Sequence, residues 1–387
     1  MAKRTAQEVK PPVENIAKIK VVGVGGSGGS ALNRMMSSKV RGIEFIAVNT
    51  DAQALNQSLA HRKVQIGVNT TRGLGAGMDP DVGLRSAEEN ESDLARAIEG
   101  ADMVFLTCGM GGGTGTGSIS FIAQLAREAG ALTVAVVTKP FGFEGAKRKE
   151  IADAGYEQLL DRVDTIITIP NDRLLQIIDK RTPLLEAFSI VDEVLKQGVL
   201  GISEIITIPG LINVDFADVK AIMGNAGTAL MGIGQASGEN RAIEAARAAI
   251  ESPLLELSIE GAKGVLFTVA GGPDLSMHEV QEAAEVITAS ADPSAKVIFG
   301  TIIDESLGDQ IKITVIATGF KNLRDRRTLD DEDEETYRPA KTVFTPTMQE
   351  KKIFTKPKIE IERHEEPIDE GNKELDIPAF IRNKMKK

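Results

Sequence analysis

The sequence predicts an α/β fold, a mostly parallel sheet with helices on both faces, and two observations support that class. Short apolar runs with many β-branched residues alternate along the chain with segments in which apolar residues recur at helical spacing. Two of the runs end in glycine-rich loops, residues 23–30 and 108–118, and a helical pattern follows each loop. Alternating strands and helices pair in parallel, and ligands of such sheets bind at the carboxyl ends of the strands.

The elements of the first half follow this alternation. The pattern predicts strands over residues 17–23, 43–48, 64–66, 101–107, 132–137 and 165–169. Helices are predicted from Ala31, over 81–98 and from Ile119, and a further glycine-rich segment occupies 73–77. Residues 183–206 are apolar on more than one side, which predicts a long helix buried between two domains.

A smaller α+β domain is predicted after this long helix. Its helices fall near residues 242–250 and 277–289, and its strands near 264–269, 295–300 and 310–317. The composition changes after Phe320, because residues 330–335 are all acidic, prolines recur and apolar residues become sparse. Such a segment cannot bury a core and is expected to be disordered.

Composition limits the classes of function. The chain has 387 residues, a net charge of −11 and only 4% aromatic residues, which argues against a nucleic-acid surface. The first residues lack the apolar core of a signal peptide, and no apolar run reaches the ~18 residues of a membrane span, so a cytoplasmic location is expected. The single cysteine, Cys108, excludes an internal disulfide and a cysteine-based zinc cluster. Its position at the end of an apolar strand predicts a buried thiol rather than a nucleophile.

The two glycine loops predict a phosphate site. Glycines let the backbone approach an anion closely, and the helix that follows points its first N–H groups at it. Residues 23–28 match the G-x-G-x-x-G pattern of dinucleotide-binding folds, and residues 25–29 match the G-x-S-x-G pattern of hydrolases. The hydrolase interpretation lacks a suitable histidine, since the three histidines lie in a polar stretch, at a helix start and in the tail. No G-x-x-x-x-G-K-[ST] motif is present.

Two phosphate loops on adjacent strand ends favour an unbranched triphosphate over a dinucleotide, which needs only one such turn. Asn171 and Asp192 are compatible with a guanine base. An amide pairs with a purine carbonyl and ring nitrogen, and a carboxylate accepts from the N1–H and 2-amino groups of guanine. Taken singly, Asn171 also reads as a turn residue after Pro170, and Asp192 as a solvated helix residue.

Residues 213–218 place an amide and two carboxylates at the start of a predicted helix. Asp215 as the N-cap, with Asp218 in the first turn, is one interpretation of this pattern. Acid–base or water-positioning work is the other, and it requires a substrate to reach this loop. The loop follows the long helix and is remote from both phosphate loops, which is difficult for a mechanism confined to one subunit.

Four motifs resemble the tubulin/FtsZ family of GTPases, and within it the bacterial FtsZ-type cell-division proteins. They are NTD at 49–51, GMGGGTGTG at 109–117, NVDFAD at 213–218 and LDIPAF at 375–380. The resemblance runs from about residue 19 to 320 and returns at the C-terminal peptide. It implies a Rossmann-like parallel-sheet GTPase domain joined by a long buried helix to a smaller α+β domain. Ser27 and Ser30 depart from the glycine and asparagine of many relatives, so a change in nucleotide affinity is expected there.

The resemblance also implies a site for GTP or GDP with Mg²⁺. The metal would offset phosphate charge, and no residue is assigned as its ligand. Glu144 and Arg148 would contact the ribose side. The catalytic residues would be Asp215 and Asp218, which orient or activate the attacking water, with Asn213 assisting. The guanine pocket would consist of Asn171, Phe188 and Asp192. The remaining nucleotide-binding residues would be Gly26, Ser27, Gly28, Gly29, Ser30, Asn49, Asp51, Gly112, Gly113, Thr114, Gly115 and Thr116.

It further implies a head-to-tail homopolymer in which loop 213–218 of one subunit completes the active site of the next. Such filaments would form the cytokinetic ring at mid-cell, on the inner face of the membrane, without nucleic acid or direct membrane insertion. Residues 375–382 would bind membrane tethers and regulatory proteins. Two alternatives stay open: a filament-forming GTP-binding protein with weak hydrolysis, and an NAD-binding Rossmann enzyme. The predicted regions are a flexible arm (1–16), a GTP-binding domain (17–182), the central helix with the catalytic loop (183–218), an α+β domain (219–320), a disordered linker (321–373) and a partner-binding peptide (374–387).

Overall fold

The structure is a computed structural model, and it describes residues 17–37, 42–175, 181–208, 210–212, 214–253, 255 and 258–320. These residues fall within one compact unit, Met1–Asp331, and a second unit, Glu332–Lys387, lies outside them. The predicted arm, linker and terminal peptide, and also Asn213, therefore lie outside the described residues. The predicted domain boundaries stay predictions.

Ten strands of the described residues form one continuous sheet in the order β3-β2-β1-β4-β5-β6-β7-β10-β8-β9. The strands are β1 (Ile19–Val24), β2 (Ile43–Asn49), β3 (Arg62–Gln65), β4 (Met103–Gly109), β5 (Leu132–Lys139), β6 (Thr165–Pro170), β7 (Gly227–Ser237), β8 (Gly264–Gly271), β9 (Lys296–Ile303) and β10 (Gln310–Thr318). Every pair from β3 to β6 is parallel. Strand β10 pairs antiparallel with β7 and β8, and β8 and β9 are parallel. The predicted class, a mostly parallel sheet with helices, is confirmed.

Helices connect these strands on both faces. They are α1 (Gly25–Ser37), α2 (Ala52–Gln57), α3 (Val68–Thr71), α4 (Pro80–Glu89), α5 (Glu91–Ile98), α6 (Thr114–Glu128), α7 (Ala146–Leu160), α8 (Asn171–Leu174), α9 (Leu184–Thr207), α10 (Phe216–Met223), α11 (Arg241–Ile250) and α12 (Met277–Ala289), with 3-10 turns at Gly142–Glu144 and Glu305–Leu307. None of the described helices is long and apolar enough to cross a membrane.

Buried side chains form a core on each face of the sheet. One core joins α1, α9 and α10 to the strands, and the core on the opposite face joins α4, α5, α6 and α7 to them. A third core packs α11 and α12 on β8 and β10. Burial on both faces explains why the central strands read as continuous apolar runs rather than as alternating ones.

The long helix α9 passes over strands from both halves of the sheet. Glycines permit the close approach: a Cβ on Gly198 would lie 3.0 Å from Val136 Cγ1 of β5, and one on Gly201 would lie 3.3 Å from Thr314 Cγ2 of β10. The strand ladder between the halves is short, because β6 and β7 pair through only three residue pairs. Helix α9 therefore supplies much of the packing that joins the two halves.

The glycine-rich loops are shorter than predicted, because the helices that follow them begin earlier. Helix α1 begins at Gly25 rather than Ala31, and α6 at Thr114 rather than Ile119. Gly25 makes the turn with a φ of +72°, and a Cβ on Gly28 would lie 2.4 Å from the Thr107 carbonyl oxygen of β4. The glycines thus belong to the first helical turns, where they let the helix pack directly on the strands.

Further elements differ from the prediction, and among them helix α7 lies where no helix was predicted. The helix predicted over 81–98 is two helices, α4 and α5, which break at Asn90, where φ is −115° and ψ is 28°. Strand β7 was missing from the predicted set, because its glycines are not typical of a strand. A Cβ on Gly232 or Gly234 would lie within about 2 Å of a carbonyl oxygen of α11, so glycine is required where that helix crosses the strand.

Replacing Gly117 tests this close packing. A Cβ at Gly117 would lie 1.9 Å from the Pro80 carbonyl oxygen, where α6 crosses α4. We expect Gly117→Ala to lower the free energy of unfolding by about 1–3 kcal/mol, measured by urea denaturation without nucleotide. Gly29→Ala is the control, because no atom lies within 4 Å of its Cβ position. Equal losses in the two variants would contradict the packing argument.

Candidate functional site

A cavity of about 380 Å³ opens at the carboxyl ends of β1, β4, β5 and β6. It is lined by Gly25, Gly26, Ser27, Ala76, Gly77, Met78, Gly109, Met110, Gly112, Gly113, Thr114, Gly115, Thr138, Pro140, Glu144, Arg148, Asn171, Phe188, Val191, Asp192 and Leu195. We call it the main cavity. It lies at the edge of the sheet where the sequence placed the ligand.

Two helix N-termini converge on one end of the main cavity. Strands β1 and β4 are neighbours, so the helices that follow them, α1 and α6, begin side by side. A Cβ on Gly25 would lie 3.0 Å from the Gly115 nitrogen. Neither helix has an acidic residue in its first turn. The first N–H groups of both helices and the positive ends of both dipoles therefore attract an anion at this end.

Hydroxyl groups hold the two glycine loops together. The Gly109 N–H donates to Ser27 Oγ over 2.7 Å, so Ser27 links the first loop to the second. The hydroxyls of Thr50 and Thr114 are 2.7 Å apart. Thr116 is buried and accepts from the Gly111 N–H at 2.9 Å, so it supports the loop without lining the main cavity.

The opposite end of the main cavity carries groups suited to a flat polar base. Asn171 is buried, and its Oδ1 has no hydrogen-bond partner among the described residues. Phe188 is 42% exposed and rests edge-on against Phe141, with ring centroids 5.8 Å apart. A buried amide oxygen without a partner costs stability, so a ligand that donates a hydrogen bond to it would be stabilised.

Asp192 lies at the same end, beside a cation. Its Oδ2 is 3.8 Å from Arg34 Nε of α1. Burial raises the pKa of Asp192 to about 6, and the positive charge of Arg34 opposes that rise. Asp192 is therefore not the solvated helix residue that the sequence also allowed.

Glu144 and Arg148 form an ion pair on the rim between the two ends. Glu144 also accepts from the Phe141 N–H at 2.9 Å, which fixes the carboxylate on the turn after β5. The Glu144 side chain is 16% exposed and that of Arg148 41%. Arg148 is the one cation among the described residues that line the main cavity.

Besides Thr116, five predicted nucleotide-binding residues do not line the main cavity. Gly29, Ser30 and Asn49 line a second cavity of about 110 Å³ on the other side of the α1 N-terminus. Asp51 caps α2, accepting from the Gln53 and Ala54 N–H groups at 2.8 and 3.1 Å. Gly28 packs on β4 and lines neither cavity. The assignment of these residues to nucleotide contacts stays a prediction.

The predicted catalytic carboxylates lie apart from the main cavity. Asp215 is the N-cap of α10, and its Oδ1 accepts from the Asp218 N–H at 2.8 Å, so the capping interpretation is confirmed. Asp215 is exposed and Asp218 is partly exposed, and neither lines either cavity. Asn213 lies outside the described residues. The capping bond does not exclude catalysis, because the second carboxylate oxygen of Asp215 is available.

Several lining residues were not predicted. Ala76, Gly77 and Met78 come from the segment before α4, whose glycine-rich sequence at 73–77 was the available signal. The remaining unpredicted lining residues are Gly25, Gly109 and Met110 of the two glycine loops, Thr138 and Pro140 at the end of β5, and Val191 and Leu195 of α9. The two residues of α9 are apolar and read as core in the sequence, and only the fold shows that they border the cavity.

Two family models match this chain. A model described as the tubulin/FtsZ family, GTPase domain, matches residues 18–179. A second, described as the FtsZ family, C-terminal domain, matches residues 227–321. The chain belongs to the tubulin/FtsZ family. The resemblance to this family seen in the sequence is thereby confirmed, and this tubulin/FtsZ-family chain carries a GTPase domain, which implies that it binds GTP or GDP.

Solved structures agree with the family assignment. An FtsZ dimer from M. jannaschii, described as empty, matches with a TM-score of 0.76 and 46% identity over 78% of this chain and 88% of that chain. CetZ2 from Haloferax volcanii, in a GTPγS-bound protofilament, matches with a TM-score of 0.68 and 22% identity over 82% and 99%. The GDP-bound monomer of CetZ1 from the same organism gives 0.70 and 20% over 83% and 100%. The two CetZ matches show the fold alone.

Cys108 offers a chemical test of the site. Its thiol is fully buried, and burial raises its pKa to about 12, so the thiolate that reacts with electrophiles is scarce. We expect no labelling by a thiol reagent at pH 8 in the native protein and rapid labelling after denaturation. Ser294→Cys in a Cys108→Ala background is the control, since Ser294 is exposed. Fast native labelling of Cys108 would contradict the buried position.

Proposed function

We propose that this chain binds GTP in the main cavity, polymerises head to tail and hydrolyses GTP at the contact between neighbouring subunits. The observation that carries the proposal is the convergence of the α1 and α6 N-termini on one end of the main cavity. Backbone N–H groups at such an end suit a chain of phosphates. The filaments would form the cytokinetic ring at the division site.

Guanine is the base that the opposite end favours. Asn171 Oδ1, which has no partner among the described residues, can accept a hydrogen bond from the base. An ionised Asp192 accepts from the N1–H and 2-amino groups that guanine has and adenine lacks. Phe188 offers an apolar ring beside them. The Glu144–Arg148 pair lies between the two ends, where the ribose would pass. One phosphate end and one base end fit a single nucleotide better than NAD.

Hydrolysis requires groups that the described lining of the main cavity does not supply. Its carboxylates are Glu144, which is paired with Arg148, and Asp192 at the base end. Exposed Asp215 and neighbouring Asp218 would reach the phosphates of a second copy, where they would orient the attacking water, with Asn213 assisting. A contact between two different surfaces does not close on itself and so propagates a filament. The related FtsZ dimer from M. jannaschii supports self-association of this chain.

Mg²⁺ would reach the site with the nucleotide. The described residues contain no cluster of three or more His, Cys, Asp or Glu side chains suited to a metal. Mg²⁺ prefers oxygen ligands, keeps several waters and commonly binds through substrate phosphates. The Thr114 hydroxyl at the phosphate end suits this donor set. The ion would neutralise phosphate charge.

Residues 375–382 lie outside the described residues, and we propose them as the segment that binds membrane tethers and regulatory proteins. The proposal rests on the LDIPAF motif and on the length of chain that separates it from the folded unit. A tether of this kind would keep the filament at the inner face of the membrane.

Phosphate release at increasing protein concentration, with light scattering recorded in parallel, tests the shared active site. We expect turnover per subunit to be low until a threshold concentration and to rise together with the scattering. Turnover that stays constant from the lowest concentration would mean that each subunit carries its own catalytic groups. Filaments without turnover would support the weakly hydrolysing structural alternative.

Asp215→Asn separates catalysis from capping. Asparagine is as good an N-cap as aspartate, so α10 should keep its stability while the charge is lost. We expect nucleotide affinity to be unchanged, filaments to persist longer and GTP hydrolysis to fall about 100-fold or more, measured by phosphate release and scattering.

The control is Ser276→Ala, which removes the cap of α12 and leaves both carboxylates in place. It should lower the free energy of unfolding by about 1 kcal/mol and leave turnover within the filament unchanged. Normal hydrolysis in Asp215→Asn, or loss of nucleotide binding in the monomer, would contradict the role of Asp215.

A further inference from the structure

Arg34 occupies an unusual position for an arginine near the end of a surface helix. It lies in the last turn of α1, which packs on α9. Its side chain is 38% exposed, but its Nε is buried and has no hydrogen-bond partner among the described residues. The nearest carboxylate oxygen is Asp192 Oδ2 at 3.8 Å, which is an ion-pair distance and too long for a hydrogen bond.

Asp192 needs a nearby cation to stay ionised, as the proposed recognition of guanine requires. Its side chain is 20% exposed, and burial disfavours the charged form, so its pKa rises to about 6. Guanine recognition uses the ionised form, because a protonated carboxyl loses acceptor strength toward N1–H and the 2-amino group. A positive charge that does not itself occupy the base site would favour ionisation without blocking the base.

The other charged groups nearby are already engaged. Across the main cavity, Arg148 is paired with Glu144. On α9 itself, Glu193 is paired with Lys196 at 2.7 Å. Within the part of the chain that the structure describes, Arg34 is the charged group that acts on the ionisation of Asp192. It does not line the main cavity, so its effect on a ligand would pass through Asp192.

We propose that Arg34 is a positioning residue that keeps Asp192 ionised and so sets the preference of the site for guanine nucleotides. The inference rests on the proposed function, since it concerns base recognition in the same cavity. It makes α1 responsible for both ends of the site. The N-terminus of this helix faces the phosphate end, and its last turn controls the carboxylate at the base end.

A purely structural role for Arg34 is the competing explanation. A cation in the last turn of a helix interacts favourably with the helix dipole and stabilises the fold. Such a role would lower stability on substitution, but it would not depend on the base or on pH between 6 and 8.5. These two readouts therefore separate the explanations.

The experiment measures dissociation constants of GTP and ITP for the full chain between pH 6 and 8.5, below the polymerisation threshold. ITP keeps N1–H and lacks the 2-amino group. In Arg34→Gln the pKa of Asp192 should rise by about one unit, because an opposite charge has been removed. We expect GTP affinity to fall about fivefold relative to the parent near pH 6 and to return to the parent value at pH 8.5. The GTP/ITP ratio should shrink at low pH, and Arg34→Lys should restore it.

Two controls complete the design. Asp192→Asn should bind GTP weakly at every pH, and adding Arg34→Gln to it should cause no further loss, because the two residues act through one group. Arg96→Gln, an exposed arginine on α5, should match the parent. Unfolding measured in parallel detects any loss of folded protein.

The outcomes distinguish the two proposals. A loss in Arg34→Gln that is equal for GTP and ITP, or that does not recover at pH 8.5, would overturn the role of Arg34. Unchanged affinity at pH 6 would do the same. If the parent protein binds ATP as tightly as GTP, the proposed function itself fails, whatever Arg34 does.

Discussion

The site depends on backbone contacts that only glycine permits. Helices α1 and α6 begin at the ends of neighbouring strands, and Gly28 brings the first helix onto β4 where a Cβ would lie 2.4 Å from a carbonyl oxygen. Gly117 lets α6 cross α4 in the same way. Larger residues would separate the helices, and their N–H groups would no longer point at one place. Close packing thus produces the anion-binding end of the main cavity.

Much of this architecture can be predicted from the sequence. The strands β4, β5 and β6 are rich in apolar residues and buried along nearly their whole length, and a helical period follows each glycine loop. Strand β7 was not predicted, because its glycines are required by the close approach of the α11 backbone, and that contact is visible only in the fold. The starts of α1 and α6 were predicted too late for a related reason. Glycine is typical of loops in a sequence, and only the contact with the neighbouring strand shows that these glycines belong to a helix.

The candidate site, too, is only partly predictable from the sequence. The phosphate end follows from local motifs, because glycine loops and helix starts are contiguous in the chain. The base end requires the fold, since α9 brings Asp192 to Asn171 and α1 brings Arg34 to Asp192. The pKa of a carboxyl depends on the elements that cover it, so Asp192 reads as a solvated residue in the sequence. Apolar lining residues such as Val191 and Leu195 carry no local sign that they border a cavity.

The three-pair junction between β6 and β7 also bears on how the chain reaches this fold. During synthesis the parallel strands up to β6 are complete by residue 170, whereas β7 begins at residue 227. In that interval β6 presents an open edge with unpaired backbone groups, which invites pairing with another chain. Helix α9 emerges first and can cover the neighbouring face, but it cannot satisfy the edge. Translation through residues 170–227 is therefore a period in which this sheet is exposed to misassembly.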